Sequence, residues 1–280
     1  MDLDISQDEV PSIYQTSILG AKEILKKIGN VSWNEKIMLK NDTFLENEKY
    51  QKVLLNKIEF FTPQEEMNEV AANIKELFVP EAETEDEFEI LFCKKVRRGD
   101  GLKISLEICR NPYRIPFDLH LIPYMGHEIF PQKKTVASMD AGESITYNMF
   151  PPEEYLVLAF YEIIKELELI KDLSWYKEVY EILCKEAVVG RKVWESMNRL
   201  VKEYPIPSME KRLETLISYK DYGYMQKRWK NQSKREKETY PAWEDVIVRI
   251  EAFLAPIFQG VVEDEIFLGD WMPELGRYLD

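Results

Sequence analysis

The hydrophobic pattern of the chain changes its period once, and this change restricts the folds that the chain can adopt. In residues 102–109, apolar side chains alternate with polar ones, as they do in a strand with one buried face. From Pro151 onward, apolar residues recur every three or four positions, which is typical of amphipathic helices. The sequence therefore predicts an α+β fold, with a mixed sheet and helices in residues 1–148 and an all-helical domain in residues 149–280.

Three long strands are predicted ahead of the helical part, at residues 88–96, 102–109 and 114–122. The first two are separated by Arg97–Gly101, whose two glycines are typical of a hairpin turn. In the third strand Asp118 and His120 are two positions apart. Because side chains alternate along a strand, we expect both to point out of the same sheet surface.

The remaining elements follow from spacing and from turn signals. A capping box at Thr62, Pro63 and Glu65 predicts the start of a helix. The acidic stretch 80–87 has no periodicity and is predicted to be a loop. Short strands are predicted at Ile37–Leu39, Val53–Leu55 and Ile58–Phe61, and further helices at 12–28, 156–170, 174–185, 188–203, 208–218 and 243–257.

The charge and hydrophobicity of the chain argue against a duplex-DNA-binding, membrane-spanning or secreted protein. The formal net charge is −14, which argues against a broad grip on duplex DNA, since neutralising phosphates requires many clustered lysines and arginines. No apolar run approaches the roughly 18–20 residues of a membrane span. The acidic start of the chain also lacks the basic and apolar segments of a signal peptide. We therefore expect a cytoplasmic protein without a membrane segment.

One basic cluster stands out within this acidic chain. Residues 227–237 hold six lysines and arginines around Trp229. The pattern fits a solvated helix end or loop, and it also fits a contact site for RNA or for an acidic partner. We expect Trp229, Trp243 and Trp271 to anchor helix packing rather than to stack on bases.

The strongest site candidate in the residues themselves is a pair of carboxylates on neighbouring strands, Glu59 and Asp118. Carboxylate oxygens are ligands that Mg²⁺ prefers, with phosphates and waters as further partners. Two such acids are also common as solvated side chains on exposed strands. His120 has the chemistry of a general base, although a polar histidine on a strand is more often structural.

Read in order, the segments resemble the AbiEii-type nucleotidyltransferases, known mainly as the toxin half of type IV toxin–antitoxin and abortive-infection systems. Phe150–Glu153 resembles the family's Tyr-Pro-x-Glu helix start, and Ser174–Ile182 resembles its Ser-Arg-x-Lys-Asp-x-Tyr-Asp-Ile segment. Trp229, Phe253–Ile257 and Trp271 resemble its closing pattern of Trp, Phe-Leu-x-Pro and Trp. The resemblance implies a nucleotidyltransferase-like first domain.

The front of the chain resembles the family in layout. Met38–Lys40 lies where a strand leads into the family's Lys-Gly-Gly turn, and Lys57–Phe60 lies where the family has Asp-x-Asp. Asp118 falls at its third metal-binding carboxylate. The resemblance therefore implies Glu59 and Asp118 as metal ligands and catalytic residues, with Lys40, Asn41 and Asp42 at the nucleotide.

Several positions depart from this pattern. The two glycines of the turn are Asn41 and Asp42, whose side chains obstruct the approach of phosphates to the backbone. The first acid is Lys57, which puts a positive charge where a Mg²⁺ ligand is required. Glu59 keeps a carboxylate that is one methylene longer.

Two departures fall in the helical part. The family's Ala-Glu-Lys is Val157–Ala159, so the lysine that meets the triphosphate is missing. The arginine of the later segment is Trp175, while Lys177 and Glu178 keep the lysine and the acid that the resemblance implies as catalytic.

Two hypotheses follow. In the first, the chain is a weakened or inactive nucleotidyltransferase that acts in a bacterial toxin–antitoxin or phage-defence setting by binding an antitoxin-type protein or tRNA. In the second, it is an active enzyme that uses Mg²⁺ to move a nucleotide from an NTP to tRNA or protein, with Asp42 as a repositioned acid. A variant of the second uses the literal Asp-x-Asp at Asp2–Asp4.

Overall fold

The computed structural model describes residues 12–46, 54–79, 88–124, 128–137 and 144–279. The chain divides into two compact units, one formed by Met1–Met125 with Phe130–Phe150 and the other by Gly126–Ile129 with Pro151–Asp280. None of the helices in the described ranges is long and apolar enough to cross a membrane. The predicted loop at 80–87, Val53 and the Asp2–Asp4 motif lie outside the described residues.

The first unit is built on a seven-stranded mixed sheet whose strands lie in the order β3-β4-β5-β2-β1-β7-β6. The pairs β2–β5 and β1–β7 are parallel, and the other neighbours are antiparallel. The elements are α1 Ile13–Gly29, β1 Met38–Leu39, α2 Thr43–Glu46, β2 Lys57–Pro63, α3 Met67–Leu77, β3 Glu89–Arg98, β4 Gly101–Arg110, β5 Tyr113–Tyr124, β6 Gln132–Ala137 and β7 Ser144–Met149.

One face of this sheet is apolar and packs against α1 and α3. The alternating residues of β4 and β5 that lie on it are buried, among them Ile104, Leu106, Phe117 and Leu119. The opposite positions of the same strands carry Lys103, Ser105, Asp118 and His120. The period-2 pattern thus separates a core face from a polar face, as predicted.

The second unit is mainly helical. Its helices are α4 Pro152–Glu166, α5 Ser174–Lys185, α6 Gly190–Glu203, α7 Met209–Ser218, α8 Gly223–Glu236 and α9 Trp243–Glu263. The predicted α+β class is confirmed, with the large sheet in the first part of the chain and most helices in the second part. A three-stranded antiparallel sheet of β8 Val188–Val189, β9 Asp270–Met272 and β10 Arg277–Leu279 adds to the helices, so this unit is not entirely helical.

The three tryptophans are packing anchors, as predicted. Trp229, Trp243 and Trp271 are each at most 5% exposed. Their indole N–H groups donate to the backbone oxygens of Pro241, Tyr219 and Leu183, respectively. Each tryptophan thus satisfies its one polar group inside the unit.

Some predicted boundaries were wrong. Thr62 and Pro63 belong to β2, and helix α3 begins only at Met67. The reason is tertiary, because β2 continues its parallel pairing with β5 as far as Pro63. Leu54 and Leu55 form no strand, and Val188–Val189 is a strand rather than the first turn of α6.

Candidate functional site

The parallel pairing of β2 with β5 brings the predicted site residues of the first unit together. Lys57 lies opposite Asp118, and Glu59 lies opposite His120. Because side chains alternate along each strand, all four lie on the polar face of the sheet. The expectation that Asp118 and His120 share one surface is confirmed.

Asp118 is held by two donors from the neighbouring strand β4. Lys103 Nζ lies 2.5 Å from Asp118 Oδ2, and Ser105 Oγ donates to Oδ1 at 2.9 Å. Burial raises the pKa of the Asp118 carboxyl, but these two hydrogen bonds outweigh it and bring the pKa below its usual value. Both oxygens of this carboxylate are therefore occupied by donors of the protein itself.

Glu59 is surrounded by three basic side chains. Its Oε1 lies 3.5 Å from His120 Nδ1 and 3.4 Å from Lys57 Nζ, and its Oε2 lies 3.5 Å from Lys40 Nζ. The hydrogen bond from His120 is the main reason that the pKa of Glu59 lies far below its usual value, and Lys40 and Lys57 add to it. Lys57 pairs with Glu59 in this arrangement, whereas Lys103 is the partner of Asp118.

Arg98 adds a fourth cationic side chain to Lys40, Lys57 and Lys103. Arg98, the last residue of β3, places Nη1 3.0 Å from the ring nitrogens of His120, whose residue is only 8% exposed. His120 thus lies between the Arg98 guanidinium and the Glu59 carboxylate. The polar face thus carries a continuous set of contacts from Arg98 through His120 to Glu59 and Lys57.

Arg98 and Lys103 were absent from the predicted site. Their spacing on β3 and β4 shows which face they lie on, but only the register of β4 against β5 places Lys103 beside Asp118. That register follows from the turn at Asn111 and Pro112, which joins β4 to β5 and brings Arg110 opposite Tyr113.

The turn after β1 differs from a phosphate-binding turn. Asn41 Oδ1 accepts a hydrogen bond from the backbone N–H of Thr43 at 2.8 Å. Asp42 Oδ2 accepts from Lys134 Nζ at 2.9 Å and from Tyr147 O–H at 3.0 Å. Side chains therefore tie this turn to β6 and β7, where the resemblance implies bare glycine backbone.

The two candidates from the helical part belong to α5 in the second unit. The ammonium group of Lys177 binds the Glu238 carboxylate and lies 5.1 Å from the ring centroid of Tyr240. The carboxylate of Glu178 accepts a hydrogen bond from Tyr155 O–H. Both side chains thus have partners within their own unit, and these contacts support its packing.

A divalent cation does not fit the carboxylates as they are arranged. Mg²⁺ requires oxygen ligands with lone pairs directed at the metal. The carboxylate oxygens of Glu59 and Asp118 instead face lysine, histidine or serine donors. Among the described residues, no group of three or more His, Cys, Asp or Glu side chains is placed to hold a metal ion.

Comparison with known proteins gives the chain no family. Neither a protein-family model nor a curated protein matches it. Two solved structures from Helicobacter pylori are similar to it. JHP933 matches over 88% of this chain and 94% of its own length, with 9% sequence identity and a TM-score of 0.37. A protein provisionally described as a nucleotidyltransferase matches over 91% of this chain and 98% of its own length, with 10% sequence identity and a TM-score of 0.36. Similarity at this level assigns no activity to the chain.

Proposed function

We propose that this chain is a nucleotidyltransferase-fold protein of the AbiEii toxin type that has lost metal-dependent nucleotide transfer and acts by binding. The proposal is supported by one observation above the others. Each carboxylate that the resemblance places at the metal is neutralised by a lysine of the protein, Asp118 by Lys103 and Glu59 by Lys40 and Lys57.

Electrostatics favours these internal pairs over a metal. Two unit charges 4 Å apart attract by about 4 kcal/mol at an effective dielectric constant of 20. A divalent cation has to displace the Lys103 ammonium from Asp118 and also approach the remaining ammonium groups of Lys40 and Lys57. Four cationic side chains, Lys40, Lys57, Arg98 and Lys103, lie around the Glu59 and Asp118 carboxylates, so these six groups together carry a positive charge before any metal binds.

Calorimetric titration of the full chain with each NTP and Mg²⁺ tests the proposal. We expect no saturable heat and no transfer of labelled nucleotide to tRNA or to protein. Micromolar binding that requires Mg²⁺ and is abolished by Asp118→Ala contradicts the proposal and supports an active transferase.

The same titration addresses the hypothesis of an active enzyme. That hypothesis uses Asp42 as a repositioned acid, yet Asp42 accepts from Lys134 and Tyr147. If Asp42 takes part in nucleotide binding, Asp42→Asn will reduce the affinity for Mg²⁺·NTP.

The biological setting that we propose is a bacterial toxin–antitoxin or phage-defence module, in the cytoplasm and with an antitoxin-type protein or tRNA as partner. Copurification with the product of a neighbouring antitoxin-like gene tests this setting.

A further inference from the structure

Helix α8 concentrates positive charge in an acidic protein. Between Gly223 and Lys237 the chain has six basic residues and one acid, Glu236, whereas the whole protein has a net charge of −14. The sequence allowed a loop or helix end here, but the segment is a helix of 14 residues. Its regular geometry fixes the relative positions of the charges.

Three of these cations form a stripe along the exposed side of the helix, which we call the α8 stripe: Lys227, Lys230 and Lys234. Their spacing of three and four residues places them on one face, over a length of about 10 Å. The buried side of α8 is formed by Met225, Trp229 and Gln232. Packing of this buried side holds the stripe in a fixed orientation towards solvent.

The α8 stripe is not used inside the molecule. Within the described part of the chain, Lys227, Lys230 and Lys234 form no side-chain hydrogen bond or ion pair. Other cations of the same unit do: Lys177 binds Glu238, and Arg228 donates to the backbone oxygens of Glu168 and Ile170. The three ammonium groups therefore remain available to an anion from outside.

Two exposed aromatic side chains lie at the start of the same helix. Tyr222 and Tyr224 are 43% and 53% exposed, and their ring centroids are 5.8 Å apart. The guanidinium of Arg228 lies 5.8 Å from the Tyr224 ring. Exposed rings beside a track of cations are the arrangement with which proteins hold single-stranded nucleic acid, the bases stacking on the rings and the phosphates contacting the cations.

We infer that the α8 stripe together with Tyr222 and Tyr224 is a binding site for single-stranded nucleic acid. A short stripe suits a few phosphates of one strand, while the net charge of −14 opposes a long duplex. A membrane surface is disfavoured because a membrane-bound helix turns apolar residues outward, whereas the outer side of α8 carries lysines, Gln226 and Asn231.

Fluorescence anisotropy with a labelled single-stranded RNA tests the site in the full chain. The probe has about 12 nucleotides, within the roughly 4–16 that one such module covers. The variant Lys227→Glu/Lys230→Glu/Lys234→Glu is expected to weaken binding by at least about tenfold. It should also flatten the dependence of log affinity on log salt concentration by about 2, because each lost phosphate contact on a single strand contributes about 0.7.

A second variant separates stacking from charge. Tyr222→Ala/Tyr224→Ala is expected to weaken binding by about tenfold without changing the salt dependence, since stacking on an aromatic ring involves no counterions. The matched control is Lys185→Glu/Lys202→Glu/Lys211→Glu, three exposed lysines elsewhere in the second unit, which should leave affinity within about twofold. Circular dichroism verifies folding, and a Lys→Gln version of the stripe variant replaces any charge reversal that fails to fold.

Four results overturn the inference. The unmodified chain binds no single-stranded RNA at low salt, or the control triple loses as much affinity as the stripe triple. Alternatively, a duplex of the same length binds more tightly than the single strand, or anionic phospholipid vesicles bind while RNA does not. None of these results bears on Mg²⁺·NTP binding, so this inference and the proposed loss of metal-dependent transfer fail separately.

Discussion

The polar face of the sheet and the outer face of α8 both carry cations, but they use them in opposite ways. On the sheet, Lys57 and Lys103 lie within 3.4 Å and 2.5 Å of carboxylate oxygens. On α8, Lys227, Lys230 and Lys234 have no such partner among the described residues. The first set of charges is satisfied internally, while the second is satisfied only by water or by a ligand.

This difference shows that the position of a charge says less about function than what the charge already binds. An ammonium group in an internal ion pair must first be released before it can hold a phosphate or make room for a metal. A hydrated ammonium group on a rigid helix faces no such requirement. We therefore expect substitutions on the sheet to change metal affinity and stability, and substitutions on α8 to change neither.

The largest effect is expected from restoring the acid on the sheet. Lys57→Asp combined with Lys103→Ser removes two cations and adds a carboxylate beside Glu59 and Asp118, which recreates an oxygen-rich site. We expect the affinity for Mg²⁺, measured by calorimetry, to rise by at least about tenfold. The matched control, Lys202→Asp with Lys185→Ser, should not raise it. Unchanged affinity in the sheet variant means that the ion pairs are not what excludes the metal.

Removing Lys103 from its ion pair with Asp118 should lower the stability of the fold. Lys103→Met leaves the carboxylate of Asp118 without its closest partner, and we expect the free energy of unfolding in urea to fall by about 1–2 kcal/mol, because both side chains remain partly exposed to water. Adding Asp118→Asn to this variant should recover part of the loss. If the double variant is as unstable as the sum of the single ones, Lys103 and Asp118 do not interact energetically.

Acid should act on the sheet face through the same carboxylates. The folded protein holds the pKa of Glu59 and of Asp118 below their usual values of 4.5 and 3.8. The stabilisation is therefore complete above about pH 4.5 and is lost as the pH falls through the lower pKa values of the folded state. Urea unfolding at a series of pH values should show that Glu59→Gln/Asp118→Asn loses less stability below pH 4.5 than the unmodified chain. The exposed pair Glu203→Gln/Glu210→Gln serves as control and should keep the slope of the unmodified chain.

The smallest effect is expected on α8. Lys227→Ala/Lys230→Ala/Lys234→Ala removes three hydrated side chains from an exposed helix face, and the unfolding free energy should change by less than about 0.5 kcal/mol for each position. A larger loss in urea unfolding indicates that the stripe supports the fold instead of serving a ligand.

The sequence predicts those parts of the fold that depend on local periodicity. The alternation in β4 and β5 and the helical spacing after Pro151 both lead to the observed elements. The start of α3 was misplaced because Thr62, Pro63 and Glu65 form a good helix-start signal locally. The pairing of β2 with β5 is a long-range interaction that overrides this signal. Local signals do not contain that competition.

The candidate site was predicted in part for the same reason. Glu59, Asp118 and His120 follow from alternation within single strands. The ion pair of Asp118 with Lys103 depends on the register between two strands, and the contact of Arg98 with His120 spans 22 residues of sequence. Lys57 lies opposite Asp118 in the parallel pair, yet its ammonium group pairs with Glu59.

The outermost position of β3 has a consequence for how copies of this protein behave in concentrated solution. An edge strand generally offers unpaired backbone groups to which a strand of another molecule can add. In β3, which has ten residues, the N–H of Phe92 already donates to the backbone oxygen of Phe78. Residues Cys93–Arg98 of this edge are exposed, but four of the six are lysine or arginine, and an irregularity in pairing at Phe92–Lys94 interrupts its regular ladder. If β3 of a second copy paired with this edge, the lysines and arginines of the two strands would lie close together and repel each other. Among the described residues, this charged end of β3 is therefore a poor template for strand-to-strand aggregation.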